Sequence, residues 1–428
     1  MSRCAARTTP RARIALTTLL TGLLLHSAPA PLAAQDPVAA GSPVTTDPEL
    51  VRLLEGHRYA MTGTLAEPAG PGFELLVREG LAADFFLIGE NHMTAEIPTL
   101  TGLLLRRLAP RYEAFAVETG PHTAAWLVER VAGGGVSALR EVAVRYPFTV
   151  PFFEQAPEAA LLEVALENGY QVWGLDQEFM GSGRYWLDRL AERAPDAGAR
   201  ALVDGWRERE AEALRLFQQT GNTEGALLMA AAPADFDALA EAFRGDADAL
   251  AIIDALRTSA HIYQLWNTQN YENNRERVTY LRANLVAQLH GYQRETGEAA
   301  RVFLKFGSYH TGRGFSPVNQ LDLGNLAHNL ATLRGGRSVN VWTVAVSAQQ
   351  PDGTLVQVGE QSPVVRVLAE HATEGPWTVF DARALRPWFH RERNRARYPE
   401  LADAVFQHDF IALARRFTPS EPLVPAGG

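Results

Sequence analysis

The fold of this chain is predicted by two short stretches of sequence, FFLIGENH at residues 85–92 and VFLKFGSYH at residues 302–310. Each begins with the Phe-, Leu-, Ile- or Val-rich run that is typical of a strand covered on both faces of a sheet. Each then reaches a glycine and, three residues later, His92 or His310. Ligands bind beyond the carboxyl ends of strands in open α/β sheets, so we expect these two histidines, 218 residues apart in the sequence, to share one site.

Strand-like and helix-like segments alternate along most of the chain. Strands are predicted at residues 84–89, 113–118, 170–175, 301–307, 339–347 and 377–381. Helices are predicted at residues 95–109, 121–132, 155–168, 183–194 and 320–333. This alternation predicts an α/β fold with a mainly parallel central sheet flanked by helices.

One long segment interrupts the alternation. Residues 183–298 are dominated by Ala, Leu, Glu and Arg and have an almost continuously helical pattern. We interpret them as a large helical insertion, a cap, in an α/β core domain formed by residues 51–182 and 299–420. Residues 35–50, rich in Pro, Gly and Thr, are predicted to be a flexible leader.

The first 34 residues have the pattern of a signal peptide. Four arginines precede a 12-residue apolar run at Ile14–Leu25, and small residues follow up to Ala34. A membrane anchor is the alternative, but so short a run falls below the roughly 20 apolar residues that span a bilayer as a helix. We therefore expect an exported protein, periplasmic or secreted, with no stable membrane insertion after cleavage.

Composition limits the classes of function. The 428 residues are 46% hydrophobic and carry a net charge of −9, which becomes −13 when residues 1–34 are removed. An acidic surface disfavours nucleic acid as a partner, and a small-molecule substrate is expected instead. The only cysteine, Cys4, lies in the predicted signal peptide, so the mature chain is expected to have no disulfide, cysteine nucleophile or thiolate metal site.

Acidic residues follow three of the predicted strands. Glu90 lies beside His92, where a carboxylate can accept a proton from water, orient the imidazole or join it on a metal. The alternative is a glutamate that caps a loop next to a surface histidine. Glu118 ends the second strand, where burial is costly unless the acid is paired or used. Asp176 ends the third, and it either caps the following helix or belongs to the site.

Basic and amide side chains on the later segments are candidate binding groups. Arg277, Leu281 and Asn284 fall on one helix face at positions i, i+4 and i+7. Arg277 and Asn284 are interpreted as groups that clamp a substrate carboxylate or hold the acids in place, with a solvated charged face as the alternative. Arg313, in the glycine-rich loop TGRG at residues 311–314, is able to approach a ligand.

Several common catalytic motifs are missing from the sequence. Ser308 lies near His310, but the chain contains no G-x-S-x-G elbow, which disfavours a serine nucleophile. It also contains no H-E-x-x-H motif, P-loop or G-x-G-x-x-G fingerprint.

Together these motifs resemble the erythromycin esterase superfamily, which extends to the Tiki-like and haem-uptake (ChaN-type) proteins. The resemblance covers roughly residues 50–390 and is carried by Gly-Glu-x-His after the first strand, the acid after the second, the Arg…Leu…Asn helix and the final His310. Compared with the typical Gly-Glu-x-x-His and His-Asn-x-His patterns, this chain has one residue fewer between Glu90 and His92, and Gly307 replaces the first histidine of the second pattern. Val278 replaces the acid that often follows the helix arginine. The ending Gly-x-x-His is similar to the Tiki-like and haem-uptake branch.

The resemblance implies a hydrolase of an ester or related bond that works through His/Glu-activated water, with no covalent intermediate and no required cofactor. In that scheme His92 is the general base, Glu90 orients it, Glu118 is a second acid–base group, and His310 stabilises the oxyanion or donates to the leaving group. The substrate-binding or supporting residues would be Arg277, Asn284, Asp176 and Arg313.

The alternative is a binding protein of the Tiki-like or ChaN-type branch that does not turn over a substrate. In that case His92 or His310 would ligate haem iron or a divalent metal, because sets of imidazoles and carboxylates serve both chemistries.

Overall fold

The computed structural model describes residues 47–64, 67–266 and 268–425. The signal peptide predicted at residues 1–34 lies outside the described residues, as does most of the leader predicted at 35–50. The strands are β1 (Arg58–Gly63), β2 (Pro68–Ala69), β3 (Phe85–Glu90), β4 (Ala114–Val117), β5 (Gln171–Gly174), β6 (Val302–Gly307), β7 (Ser338–Gln349), β8 (Leu355–Gln357), β9 (Trp377–Asp381) and β10 (Phe410–Phe417).

The helices up to β6 are α1 (Pro48–Gly56), α2 (Pro71–Leu81), α3 (Glu96–Leu108), α4 (Pro121–Arg145), α5 (Ala156–Glu167), α6 (Gly183–Arg193), α7 (Ala197–Thr220), α8 (Leu227–Ala230), α9 (Pro233–Ala242), α10 (Ala247–Leu265) and α11 (Asn270–Thr296). After β6 come α12 (Ser308–Thr311), α13 (Leu323–Leu333), α14 (Val358–Gln361), α15 (Pro363–Glu370), α16 (Arg386–Phe389), α17 (Glu392–Arg397) and α18 (Pro399–Gln407), with a 3₁₀ helix at Ala382–Leu385.

The strands form one sheet in the order β2-β1-β9-β10-β7-β3-β6-β4-β5, and β8 pairs with β7. The six strands from β10 to β5 pair in parallel, whereas β9 pairs antiparallel with both β10 and β1. The predicted mainly parallel sheet flanked by helices is therefore confirmed, and it continues into an antiparallel end.

The apolar runs of residues 85–92 and 302–310 form the neighbouring strands β3 and β6, near the middle of the sheet. All six residues of β3 and all six of β6 are buried. Phe86 and Ile88 face a core that includes α3, α4 and α5, while Phe85 and Leu87 face a second core that includes Leu281 and two further leucines of α11. Cover on both faces explains why these strands lack the alternation of a half-exposed strand.

Two features of the fold differ from the expectation. β1 and β10 were not predicted, because β1 is only half-buried and β10 ends in the polar pair Arg415 and Arg416. The helix predicted to end at residue 132 runs on as α4 to Arg145, with a break at Gly135, whose φ is 61°. The predicted helix therefore ends at this glycine run, and the part of α4 beyond Gly135 is a second helical stretch.

The described part of the segment between β5 and β6 contains six helices, α6 to α11, joined by loops, and no strand. Its last helix, α11, packs against the sheet through Leu281, Leu285 and Leu289. No helix within residues 47–64, 67–266 and 268–425 has the length and hydropathy of a membrane span.

Candidate functional site

The carboxyl ends of four parallel strands bring the candidate residues together. Glu90 is the last residue of β3, Glu118 follows β4, Asp176 follows β5, and His310 lies in the short helix that follows β6. Because these strands are neighbours and run in the same direction, their ends meet at one edge of the sheet. The structure thus places His92 and His310 at one site, as expected from the ends of β3 and β6.

His92 is held by the carboxylate that precedes it. Its Nδ1 lies 3.0 Å from Oε1 of Glu90, and its ring stacks on Phe152 with the ring centroids 4.7 Å apart. With Nδ1–H donating to Glu90, the neutral imidazole has its lone pair on Nε2. Burial alone would lower the pKa of His92, but the carboxylates of Glu118 and Glu90 outweigh it and raise this pKa above the ordinary value of 6.5.

The loop that carries His92 is fixed by the end of β10. Met93 has a φ of 63°, in the left-handed region that is unfavourable for a residue with a side chain. Its carbonyl accepts a hydrogen bond of 2.9 Å from the amide of Ser420, and the amide of Ala95 donates to the carbonyl of Thr418 at 3.0 Å. Strained backbone that the surrounding structure holds in place is often found at functional sites.

A buried ion cluster lies behind Glu90. The ammonium of Lys305, in β6, is 2.6 Å from Oε2 of Glu90 and 2.6 Å from Oε1 of Glu158 in α5. The Lys305 side chain is only 4% exposed. Burial alone would lower the pKa of Lys305, but the two carboxylates outweigh it and raise this pKa. Lys305 therefore holds a charge in the core that fixes the carboxylate of Glu90.

The carboxylate of Glu118 lies at the centre of the site. Its Oε2 accepts a hydrogen bond of 2.6 Å from the amide of Gly307, and its Oε1 accepts one of 2.7 Å from Nη2 of Arg277. Nε2 of His92 and Nε2 of His310 each lie 3.6 Å from this carboxylate, facing different oxygens. Burial raises the pKa of Glu118, but His92, His310 and Arg277 together lower it to about 2. Glu118 is therefore an anion at neutral pH.

His310 has the same arrangement as His92. Its Nδ1 lies 2.7 Å from Oδ2 of Asp322, the residue that caps α13 by accepting from the amide of Leu323. Burial alone would lower the pKa of His310, but Asp322 and Glu118 raise it. The site thus contains two imidazoles, each oriented through Nδ1 by a buried carboxylate, with both Nε2 atoms directed at Glu118.

The last helix of the predicted cap supplies a cation to this edge. Arg277 donates from Nε to Oδ1 of Asp176 at 3.1 Å and from Nη2 to Oδ2 at 2.6 Å, in addition to its bond to Glu118. About two turns further along α11, the side-chain amide of Asn284 donates to the carbonyl of Leu175 at 2.8 Å. These contacts favour a role for Arg277 and Asn284 in holding the acids in place, and they disfavour the alternative of a solvated charged face.

A glycine is required at position 307, beside the ring of His92. A Cβ at position 307 would lie 2.8 Å from Nε2 of His92 and 3.3 Å from Oε2 of Glu118. The backbone of Gly307 has φ −48° and ψ 138°, which any residue can adopt. The constraint at this position is therefore contact with the imidazole.

We expect Gly307→Ala to displace His92. For the ester hydrolysis that the family resemblance implies, kcat/KM should then fall roughly 10-fold to 100-fold, because small misplacements of reacting groups are costly. Kinetics on the wild type and the variant measure this, with circular dichroism as the check on folding. Gly205→Ala in α7 is the matched control, since a Cβ there meets nothing within 4 Å. Full activity in Gly307→Ala would contradict the placement of His92.

The site opens into a cleft of about 860 Å³ when space open to solvent is included. Its lining combines apolar and aromatic side chains with charged, hydroxyl and amide groups. The lining comprises His92, Glu118, Thr119, Pro151, Phe152, Asp176, Gln177, Phe179, Met180, Tyr263, Trp266, Asn270, Asn273, Asn274 and Arg277.

The predicted residues do not all reach this cleft. His92, Glu118, Asp176 and Arg277 line it, and Glu90, His310 and Asn284 support it from behind. Arg313 lies elsewhere: its Nη1 donates to Oδ1 of Asp409 at 2.8 Å, and its Nη2 is 3.4 Å from the carbonyl of Ser338. Ser338 begins β7 and Asp409 precedes β10, so Arg313 lies toward the amino ends of these strands.

Three residues of the site were not predicted. Lys305 interrupts the apolar run of β6, and a lysine inside a buried strand indicates a buried ion pair, so the sequence did contain a sign of it. Asp322 precedes the helix start at Leu323, a cap pattern that does not reveal its contact with His310. Glu158 is one of many acids on helices and had no distinguishing feature.

Several of the groups that could ligate a metal already have partners within the protein, and each imidazole keeps only Nε2 for a ligand, the position that commonly binds a metal when Nδ1 donates to a carboxylate. The Nδ1 atoms of His92 and His310 are engaged by Glu90 and Asp322, and Glu118 is occupied by Arg277 and the amide of Gly307. Among residues 47–64, 67–266 and 268–425, no group of three or more His, Cys, Asp or Glu residues is arranged to hold a metal ion.

Comparison with solved structures finds the same fold in proteins of low sequence identity. A protein described as a succinoglycan biosynthesis protein aligns with a TM-score of 0.54 and 14% identity, covering 87% of this chain and 98% of its own. A protein from Bacillus cereus aligns with a TM-score of 0.55 and 11% identity over 87% and 98% of the two chains. A mutant of the erythromycin esterase EreC, in its open conformation, aligns with a TM-score of 0.55 and 15% identity over 86% and 100%.

The resemblance to erythromycin esterases predicted from short motifs is therefore confirmed at the level of the fold. Identities this low show a shared fold and do not carry an activity from one protein to another. No family model and no curated protein matches the sequence.

Proposed function

We propose that this chain is an exported hydrolase that cleaves an ester or related bond with water activated by His92, without a covalent intermediate. The observation that carries the proposal is the pair of imidazoles directed at one carboxylate, each oriented by its own buried acid, at the wall of a cleft. Export rests on the arginine-rich and apolar pattern of residues 1–34.

His92 is the general base of the proposed reaction. Its Nε2 takes a proton from water while the water oxygen forms a bond to the acyl carbon of the substrate. Glu90 holds the ring so that Nε2 carries the lone pair, and it stabilises the imidazolium that forms. Lys305 and Glu158 hold Glu90 in turn and do not touch the substrate.

His310 is the acid of the proposed reaction. The raised pKa of His310 widens the pH range over which it is an imidazolium, and in that form it can stabilise the developing oxyanion and then give its proton to the leaving alkoxide as the C–O bond breaks. Glu118 was expected to be a second acid–base group. Its pKa of about 2 instead favours a fixed anion that keeps both imidazoles basic.

The proposal is tested by a panel of neutral esters and lactones assayed on the purified mature protein, together with a titration of the same protein with haem. Turnover without added metal supports the hydrolase. A Soret band that is abolished in His92→Ala or His310→Ala, with no turnover of any ester, would support the haem-binding alternative.

The dependence of kcat/KM on pH tests the role of Glu118. A general base acts in its neutral form, so the activity rises with pH as His92 loses its proton, and the raised pKa places this rise above pH 6.5. Glu118→Gln removes an anion that raises the pKa of both histidines, so we expect the rise to move to lower pH in addition to a loss of rate. An unshifted rise in Glu118→Gln would contradict the assignment.

A further inference from the structure

A second pocket lies beside the cleft, among the first helices that follow β5. Its volume is about 610 Å³ when space open to solvent is included. Its lining is mainly apolar, and the rings of Phe148 and Phe217 contact each other edge to face with centroids 5.3 Å apart. Ala213, Leu214 and Ala226 also line it.

The two charged side chains in this lining are engaged by the protein. Arg184 donates to the carbonyl of Pro147 and, at 3.1 Å, to the hydroxyl of Thr149. Glu210 accepts from the amide of Leu227 at 2.5 Å, and burial raises its pKa to about 7 in spite of Arg184. Because most of the lining is apolar, a charged ligand group in this pocket would lose its water with little compensation, which is costly.

The pocket and the cleft share a wall. Phe179 and Met180, in the segment between β5 and α6, line both of them. Phe179 is half-buried, and methionine is a flexible apolar side chain that adapts to the shape of a neighbour. The wall between the cleft and the pocket is thus formed by two apolar side chains, and the two linings have no charged residue in common.

We infer that this pocket is a subsite for an uncharged, apolar arm of the substrate, such as an alkyl chain or an aromatic ring next to the ester bond. The inference rests on the proposed function, since it places the reacting bond at His92. It names the substrate class as neutral esters with a substantial apolar group, in preference to short or anionic esters.

The first test is a chain-length series. Acyl esters of 4-nitrophenol from acetate to octanoate, and alkyl acetates of the same lengths, are compared on the mature protein. Each methylene that enters the pocket should raise kcat/KM by about fourfold until the pocket is full, the factor expected for burial of one CH₂. A flat profile in both series would overturn the inference while leaving the hydrolase proposal in place.

Matched variants show whether the preference for long chains arises in this pocket. Ala213→Phe fills the pocket from α7, whereas Ala211→Phe adds the same ring at an exposed position of the same helix. We expect the octanoate-to-acetate ratio of kcat/KM to fall at least tenfold in Ala213→Phe and to stay at the wild-type value in Ala211→Phe. Leu214→Trp, at a half-buried lining position, takes the place of Ala213→Phe if that variant does not fold.

Binding of a neutral fluorophore, N-phenyl-1-naphthylamine, is measured in His92→Ala and does not depend on turnover. We expect binding that is displaced by 1-octanol and weakened at least tenfold when Ala213→Phe is added. Binding that Ala213→Phe leaves unchanged overturns the subsite. Loss of binding in that variant, together with no turnover of any ester, supports the apolar subsite and overturns the hydrolase proposal.

Discussion

Replacement of His92 by alanine is expected to lower kcat/KM for ester hydrolysis by about 10²–10⁴-fold, the usual contribution of a positioned general base. The variant should remain folded. Glu90 keeps its contact with Lys305 at 2.6 Å, and Glu118 keeps Arg277 and the amide of Gly307. Because neither carboxylate is left without a partner, we expect a change of within about 1 kcal/mol in the free energy of unfolding.

Phe86→Ala is the control for stability. Phe86 is 0% exposed in the core beneath the same loop, so its truncation should cost roughly 3–5 kcal/mol. Urea unfolding of both variants, alongside the ester kinetics, gives the comparison. Unfolding of His92→Ala as severe as that of Phe86→Ala would make His92 a structural histidine. A folded His92→Ala variant with full activity would move the base role to another group.

Lys305→Met is expected to be the most destabilising change at a charged position, by about 3–5 kcal/mol, because it removes one partner from a buried ion cluster. Glu90 and Glu158 would then face each other in the core without a cation. Loss of the ammonium raises the pKa of both carboxyls, so the destabilisation should be largest above those pKa values and should shrink as the pH falls and the carboxyls bind protons.

Urea unfolding at neutral and mildly acidic pH measures this effect. Leu304→Met on the same strand is the matched control: it introduces the same side chain at a buried position without removing a charge, and volume-conserving swaps of this kind cost less than about 1.5 kcal/mol. Adding Glu158→Gln to Lys305→Met should restore part of the stability by removing one of the two opposed anions. If Lys305→Met unfolds no more easily than Leu304→Met, the cluster does not hold Glu90.

The sequence predicted those site residues that come directly after a predicted strand. His92, Glu118, Asp176 and His310 all follow buried apolar runs, and the direction of parallel strands brings them to one edge. Arg277 was placed on the correct helix face because its spacing from Leu281 is helical.

What the sequence did not predict depends on contacts between distant elements. The roles of Glu158 and Asp322 become visible only when Lys305 and His310 are seen against them. Arg313 had the composition of a ligand loop, yet the chain folds back toward the amino end of β7, where Asp409 pairs with it. β10 was missed because its apolar run is short and is followed by Arg415 and Arg416, while its place between β7 and β9 is seen only in the folded sheet.

The dependence of His92 on residues 418–420 has a consequence for the timing of synthesis. A ribosome translates His92 326 residues before it reaches Thr418. Until residues 410–420 have emerged, the sheet lacks a strand between β7 and β9, and the loop that carries His92 has no partner for its strained backbone. A product truncated before this segment would therefore carry every residue of the proposed reaction while lacking the contacts that hold the loop of His92.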